Sequence, residues 1–398
     1  MRKAVASLLL LMLVAAGCSR PRTVEQPAPV VEPPTPAVET PPTPDGPDLM
    51  AVQSPFELTI DELRRGLVRY LSQGEGELAD RLSALYDRWQ LATPENYVRL
   101  VEADLDGNGT AEVVTALNGS GSLTGVGQVF VITRANGAVA VEPVSGEPLE
   151  GVGLFAVTDL TGDAQREMIW TSTHVGAHTP TTELFLSRWR PGQSEVLPGA
   201  ISMASARVEL EGNELVLTGG MIGSVGAGPQ RSRTERYRWT GERIELVDQR
   251  YASSTLGYFR LIDGIVAERF AHVDEAARAY RDAMADAEPN LEGVVEPDMR
   301  AGFVAAVRAF ARFRLGALLL AQGQGEEARR VLVGEAALFA ELPALMAEAG
   351  EREAGCKAAE AWANTNASFL EALNSTFGYA QPRWQAVDLC GPLPATGL

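Results

Sequence analysis

The chain is short of the residues that most catalysis needs. It holds three histidines and three cysteines in 398 residues, and aromatic side chains make up only 7%. No Gly-x-Ser-x-Gly elbow, phosphate loop or closely spaced redox cysteine pair appears, so the signatures of serine esterases, P-loop enzymes and thiol oxidoreductases are missing. His174 and His178 are four apart, but no Glu follows His174 as a zinc-protease helix demands, and both fall in the Thr/Gly-rich stretch Thr171–Thr182, expected between strands. His272 falls at an expected turn between two helices. Carboxylates are numerous, yet none is singled out as an acid–base pair, and the chain reads as a non-enzyme. Positive charge is also scarce: 34 Lys and Arg face 52 Asp and Glu, for a net charge of -18. A field of that sign disfavours nucleic acid and anionic lipid headgroups as partners. Beyond the first twenty residues no apolar run is long enough to cross a bilayer.

What is present begins at the N-terminus. Met1-Arg2-Lys3 makes a basic head, Ala4 to Ala16 an apolar core, and Gly17-Cys18-Ser19 a small-residue exit. The apolar core is shorter than the roughly 20 residues of a membrane span and reads as a secretory signal. Val14-Ala15-Ala16-Gly17-Cys18 resembles the lipobox of bacterial lipoproteins, with Ala15 where that family favours Leu. The resemblance implies cleavage after residue 17 and a lipid on the Cys18 thiol, which anchors the chain to a membrane at about 0.8 kcal/mol per buried methylene. It also implies an extracytoplasmic address in the cell envelope: the outer membrane, or the outer face of the plasma membrane in a single-membrane cell. Ser19 in place of Asp carries no inner-membrane retention signal. In an oxidising compartment the two remaining cysteines, Cys356 and Cys390, are expected to form a disulfide, with two free buried thiols as the alternative.

After residue 17 about 380 residues remain, a length that suits two domains. Residues 18–54 read as the lipidated cysteine and a tether: ten prolines fall between Pro21 and Pro47, a composition that favours extended polyproline-like coil. Its reach is on the order of 100 Å. Residues 55–97 read as a helical lead-in. Thr59 and Glu62 match a capping box; Leu63, Leu67, Tyr70 and Leu71 recur at helical spacing, as do Leu78, Leu82, Leu85, Tyr86 and Trp89, and Pro94 closes the segment. From 98 to 252 the period falls to two. Runs such as Glu112–Leu117, Gln128–Thr133, Glu183–Trp189, Arg207–Leu210, Glu214–Thr218, Tyr237–Trp239 and Arg243–Val247 are punctuated by Asn136-Gly137, Gly212-Asn213 and Thr240-Gly241, which predicts an all-β region. From 257 to 398 the pattern is helical and rich in alanine. The expected fold is multidomain α+β, an all-β domain followed by an all-α domain.

One acidic segment occurs twice in the β region. Asp104-Leu105-Asp106-Gly107-Asn108-Gly109-Thr110-Ala111-Glu112 leads into Val113-Val114, and Asp159-Leu160-Thr161-Gly162-Asp163-Ala164-Gln165-Arg166-Glu167 leads into Met168-Ile169-Trp170, starting 55 residues later. Oxygen side chains at alternate positions of a tight loop converge on one point, and Ca²⁺ takes about six to eight oxygens. An EF-hand is excluded, because its twelfth position needs Glu and here holds Thr115 or Trp170. The loops resemble the calcium loops of FG-GAP/VCBS repeats, which build blades of integrin-type β-propellers. That resemblance implies a structural Ca²⁺ with ligands Asp104, Asp106, Asn108, Glu112 and the Thr110 carbonyl in the first loop, and Asp159, Thr161, Asp163 and Glu167 in the second. The second departs at Thr161, a weaker ligand, and at Ala164, where glycine is expected. Two Asp/Gly-rich turns between strands remain the plainer reading. Two copies are too few for a closed propeller of about four or more blades, so an open blade array or a sandwich is expected.

The helical region resembles tetratricopeptide repeats. Ala276, Tyr280 and Ala283 take that repeat's packing positions, and Leu315, Gly316, Ala328 and Leu332 match a whole helix pair. Ala276 and Ala328 are 52 apart, so an insertion around Asp286–Gly302 separates the units. Helices near Phe339–Ala349 and Glu351–Leu373 are expected to complete the stack, with a generic helical bundle as the alternative. The function expected from these parts is a membrane-anchored binding or scaffolding lipoprotein with a protein or peptide partner. A cell-envelope hydrolase with a carboxylate site and a sensor or assembly component gripping a peptide on its helical face are the rivals.

Overall fold

The computed structural model describes residues 45–176, 178–285, 295–334, 337–374 and 378–394. The signal segment, Cys18 and the proline-rich stretch to residue 44 lie outside the described residues. The chain starts with a 3-10 turn at Pro55–Glu57, then α1 (Ile60–Ser72) and α2 (Leu78–Arg88). The strands are β1 (Leu100–Ala103), β2 (Glu112–Gly119), β3 (Val126–Ala135), β4 (Ala138–Pro143), β5 (Leu149–Glu150), β6 (Gly153–Thr158), β7 (Glu167–Val175), β8 (Pro180–Arg190), β9 (Gln193–Val196), β10 (Ile201–Ala204), β11 (Arg207–Glu211), β12 (Glu214–Gly219), β13 (Arg233–Trp239) and β14 (Ile244–Tyr251). The helices that follow are α3 (Gly257–Arg269), α4 (Val273–Ala285), α5 (Arg300–Ala321), α6 (Gly325–Leu332), α7 (Glu341–Ala349), α8 (Arg352–Thr365) and α9 (Ala367–Asn374).

The expected capping box is formed at α1: the Thr59 hydroxyl accepts from the Glu62 amide, and Glu62 accepts from the Thr59 amide at 2.9 Å. The apolar stripe of α1 and α2 then buries Leu63, Leu67, Leu71, Leu82 and Leu85 completely. The expected tether ends earlier than residue 54. Leu49 is 1% exposed, the Trp89 indole donates to the Val52 carbonyl at 3.2 Å, and Arg69 donates to the Gly46 carbonyl at 2.7 Å. A buried leucine and three anchored carbonyls (Arg88 holds that of Met50) fix 45–54 against the two helices.

Three antiparallel sheets follow, each a meander and none closed. The first runs β1-β2-β3-β4, with β5 also on β3; the second runs β10-β8-β7-β6, with β9 also on β8; the third runs β11-β12-β13-β14. The first two share one register. Val113 faces Ile132 across β2 and β3, and Met168 faces Ser187 across β7 and β8, each pair displaced from the other by 55 residues.

Strand alternation sorts side chains between layers. Val113 and Leu117 pack with α1 and α2, while Val114 packs toward the second sheet. Thr115 shares the helix-facing side, and its hydroxyl meets the Tyr86 hydroxyl at 2.7 Å in a buried bond. In the second sheet Met168 and Trp170 turn to the first sheet, and Ile169, Leu184 and Leu186 to the third. Trp170 stacks on Phe185 at 4.3 Å and donates to Ser187 Oγ at 2.9 Å. The Trp189 indole donates to Glu142 Oε2 at 2.8 Å and so ties the second sheet to the first. The layers therefore run α1/α2, first sheet, second sheet, third sheet.

The helices after β14 form hairpins. Gly264 lies so close to Tyr280 that a Cβ there would be 2.4 Å from its ring, and Gly316 lies equally close to Leu332. Both partners of the second pair stand 52 residues after those of the first. The expected insertion partly falls on 286–294, outside the described residues, and α5 already begins at Arg300. Arg314, 3% exposed on its side chain, bonds Glu268 at 2.6 Å and the carbonyls of Leu389 and Gly391 at 3.1 and 3.0 Å. Beside it, Cys356 and Cys390 are joined in a disulfide. Arg231 links the sheets to the helices: it pairs with Asp263 at 2.8 Å and lies over the rings of Tyr251 and Phe259. The β and helical parts both fall within one unit of the chain, from residue 44 onward.

Candidate metal centre

The first acidic loop joins β1 to β2 at the edge of the first sheet. Asp104 folds the loop around itself: one carboxylate oxygen accepts from the amides of Gly107 and Asn108 at 2.8 and 3.1 Å, the other from Gly109 at 2.9 Å. Gly107 and Gly109 supply the positive φ angles, 76° and 86°, that this turn requires. Glu112 is 4% exposed and accepts from the Leu105 amide at 2.8 Å. Ligand oxygens of Asp104, Asp106 and Glu112 lie within 4.8 Å of one another, the one such group of three among the described residues. Asn108 and Thr110 stay at the rim. The Asn108 side chain donates to Asp106 at 2.9 Å and accepts from the Thr110 amide at 2.7 Å. Burial, with Asp106 and Asp104 alongside, pushes the Glu112 carboxyl above the usual glutamate range.

The second loop, between β6 and β7, repeats this frame. Asp159 accepts from the amides of Gly162, Asp163 and Ala164 at 2.7, 3.2 and 2.9 Å, and Glu167 accepts from Leu160 at 2.9 Å. Ala164 takes the place of Gly109 and holds a φ of 69° despite its Cβ. The centre differs. Arg188 on β8 reaches in and bonds Glu167 Oε1 at 2.8 Å, Thr161 Oγ1 at 2.7 Å and Asp163 Oδ2 at 2.6 Å. The Thr161 hydroxyl also donates to Glu167 at 3.1 Å. Of the four expected ligands, three therefore meet a guanidinium, and the fourth, Asp159, accepts from backbone amides just as Asp104 does in the first loop. In the second loop an internal guanidinium thus supplies the positive charge beside Glu167 and Asp163. By the shared register, the first-sheet position matching Arg188 is Thr133, which carries no charge. Among the described residues no ion pair reaches Asp104, Asp106 or Glu112.

Sequence reasoning missed Arg188, because its partners lie 21 to 27 residues away and only strand pairing brings them together. It also misplaced His174, which sits within β7 opposite Thr181 rather than between strands. His174 and His178 are both exposed. His272 does occupy the turn between α3 and α4, 3.8 Å from Asp248 and Glu275. No described helix is long and apolar enough to cross a membrane. The chain matches no family model, no curated protein and no solved structure.

Proposed function

We propose that this chain is a lipid-anchored, extracytoplasmic binding or scaffolding lipoprotein whose β region is an open array of three blade-like sheets held by one structural Ca²⁺. The observation that carries the calcium reading is the contrast between the two loops. Two frames with the same backbone bonds meet the same need for positive charge, one with Arg188 and the other with no cationic side chain. Asp104, Asp106 and Glu112 would ligate the ion, with Asn108 and the Thr110 carbonyl as the further oxygens implied by the FG-GAP/VCBS resemblance. The hard, all-oxygen set suits Ca²⁺ better than a softer transition metal. The ion would stiffen the edge of the first sheet rather than act on a substrate.

The helix hairpins support a tetratricopeptide-like stack, with Gly264 and Gly316 at the close crossings and a disulfide closing its end. Both parts are of kinds that present surfaces to a protein or peptide partner, which is an argument by analogy of fold. The hydrolase reading gains less support, since the convergent acidic group sits on an edge loop. Two experiments test the proposal. Labelling with a palmitate analogue should mark the wild type and not Cys18→Ser; equal labelling sinks the anchor. Millimolar Ca²⁺ should raise the melting temperature of the wild type and leave Asp104→Ala unmoved; an unmoved wild type sinks the metal site.

A further inference from the structure

A cavity of about 620 Å³ opens between the first and second sheets, under the end of α2, well apart from the acidic loop. Its size lies in the usual range of small-molecule pockets, roughly 300–1,000 Å³. Of its lining residues one is charged, Arg99, and that guanidinium is already bound to Asp87 at 2.5 Å and to the Leu91 carbonyl at 3.0 Å. A chain with 86 charged side chains has thus kept free charge out of this wall. What lines it instead is apolar for the larger part, with aromatic rings and hydroxyls set among Pro55, Leu91, Val98, Leu117, Val152 and Leu154. Phe56 and Tyr97 supply ring faces, and Thr93, Thr124, Thr171 and Thr173 supply hydroxyls.

The two rings are held in place by backbone. A Cβ on Gly125 would stand 2.6 Å from the Phe56 ring, and one on Gly153 would stand 2.7 Å from the Tyr97 ring, so each ring packs closely on a glycine. Phe56 keeps 49% of its surface exposed although the Ser54 hydroxyl caps its amide at 3.3 Å. The Tyr97 hydroxyl accepts from Thr171 at 3.2 Å. Fixed aromatic faces beside hydroxyls, with no available charge, match one chemistry best. A neutral sugar ring lays its C–H face on an aromatic ring and exchanges hydrogen bonds with groups that both donate and accept.

We propose that this cavity binds a neutral oligosaccharide segment, with Phe56 and Tyr97 as stacking platforms. An anionic sugar would find no free counter-charge, whereas the hydroxyls of Thr124, Thr171 and Thr173, though already bonded to Ser122, Tyr97 and Thr182, can each accept a further hydrogen bond from a sugar. The inference stands apart from the calcium site and does not require it. Saturation-transfer NMR on the full chain tests it, using maltohexaose, cellohexaose and chitohexaose, with hexagalacturonate and monolauroylglycerol as contrasts. At least one neutral hexamer should receive saturation. Tyr97→Ala and Phe56→Ala should each weaken it about tenfold or more, while Tyr97→Phe, which keeps the ring, retains most of the affinity. Asp104→Ala should bind as the wild type does. Circular dichroism melts of the variants check that the fold is kept. Silence from all three neutral hexamers overturns the proposal. So does equal binding of hexagalacturonate, binding of monolauroylglycerol alone, or sugar binding undiminished in folded Tyr97→Ala and Phe56→Ala.

Discussion

Arg188 shows how one side chain can do the work of an ion. Its guanidinium spans three oxygens of the second loop, and Glu167, its deepest partner, is fully buried on its side chain. Removing one member of a buried pair leaves the other charged and unpaired, at a cost of about 3–5 kcal/mol. Arg188 is itself 21% exposed, which places the expected loss near the lower end. Arg188→Thr, which copies Thr133, should therefore lower stability by about 3 kcal/mol in EDTA. Millimolar Ca²⁺ should restore much of it, read as the denaturant midpoint with and without the ion. The first loop gives a pH prediction of definite sign. The Glu112 carboxyl is raised in the fold, so a proton stabilises the calcium-free fold as pH falls through that value and the benefit is lost as pH rises. A cation competes for the same oxygens. The calcium-induced rise in melting temperature should be larger at about pH 7.5 than at about pH 5. A shift independent of pH would place the ion elsewhere.

At the level of elements, packing distance decides the helix hairpins. Gly264→Ala would gain up to about 1 kcal/mol of helix propensity. It would also drive a Cβ to 2.4 Å from the buried Tyr280 ring, whose hydroxyl is tied to Glu268. Overpacking of that kind costs about 1–3 kcal/mol, so net destabilisation is expected in urea titration. Helices α1, α2 and α4 were legible in the sequence because each carries a one-sided apolar stripe, as in Leu63, Leu67 and Leu71, and α1 carries its cap in Thr59 and Glu62. The long strands were legible too, in β2, β3, β8 and β12. The short strands β5, β9 and β10 were not: with two to four residues each, they exist through pairing to β3 or β8 rather than through a pattern of their own. The loops were legible as oxygen-bearing turns. What sits at their centres was not, because Arg188 and Thr133 lie on a neighbouring strand and differ by one residue type at matching positions.

For the whole molecule, layers and staples matter more than domain boundaries. Helices cover the first sheet at one end and follow the third sheet at the other, and the segment after α9 returns to the loop before β13: the amides of Tyr379 and Ala380 donate to the carbonyls of Gly226 and Ala227 at 3.3 Å. The disulfide and Arg314 hold that returning segment from two sides. Cys356→Ser with Cys390→Ser should cost about 2–4 kcal/mol. Cleavage by a low dose of protease should then begin within 378–394, because its one covalent staple is gone; first cuts in the sheets would contradict this. The sequence suggested two domains from its length, and its period changes near residues 98 and 255. Contacts such as Arg231 with Asp263, which join strand and helix regions, leave no periodic trace.

Calorimetric titration of Ca²⁺ into the wild type and into Arg188→Thr tests the central claim most directly. The wild type should bind one equivalent, Asp104→Ala none, and Arg188→Thr two. No heat from the wild type at millimolar Ca²⁺, or two equivalents with Arg188 still in place, would contradict it.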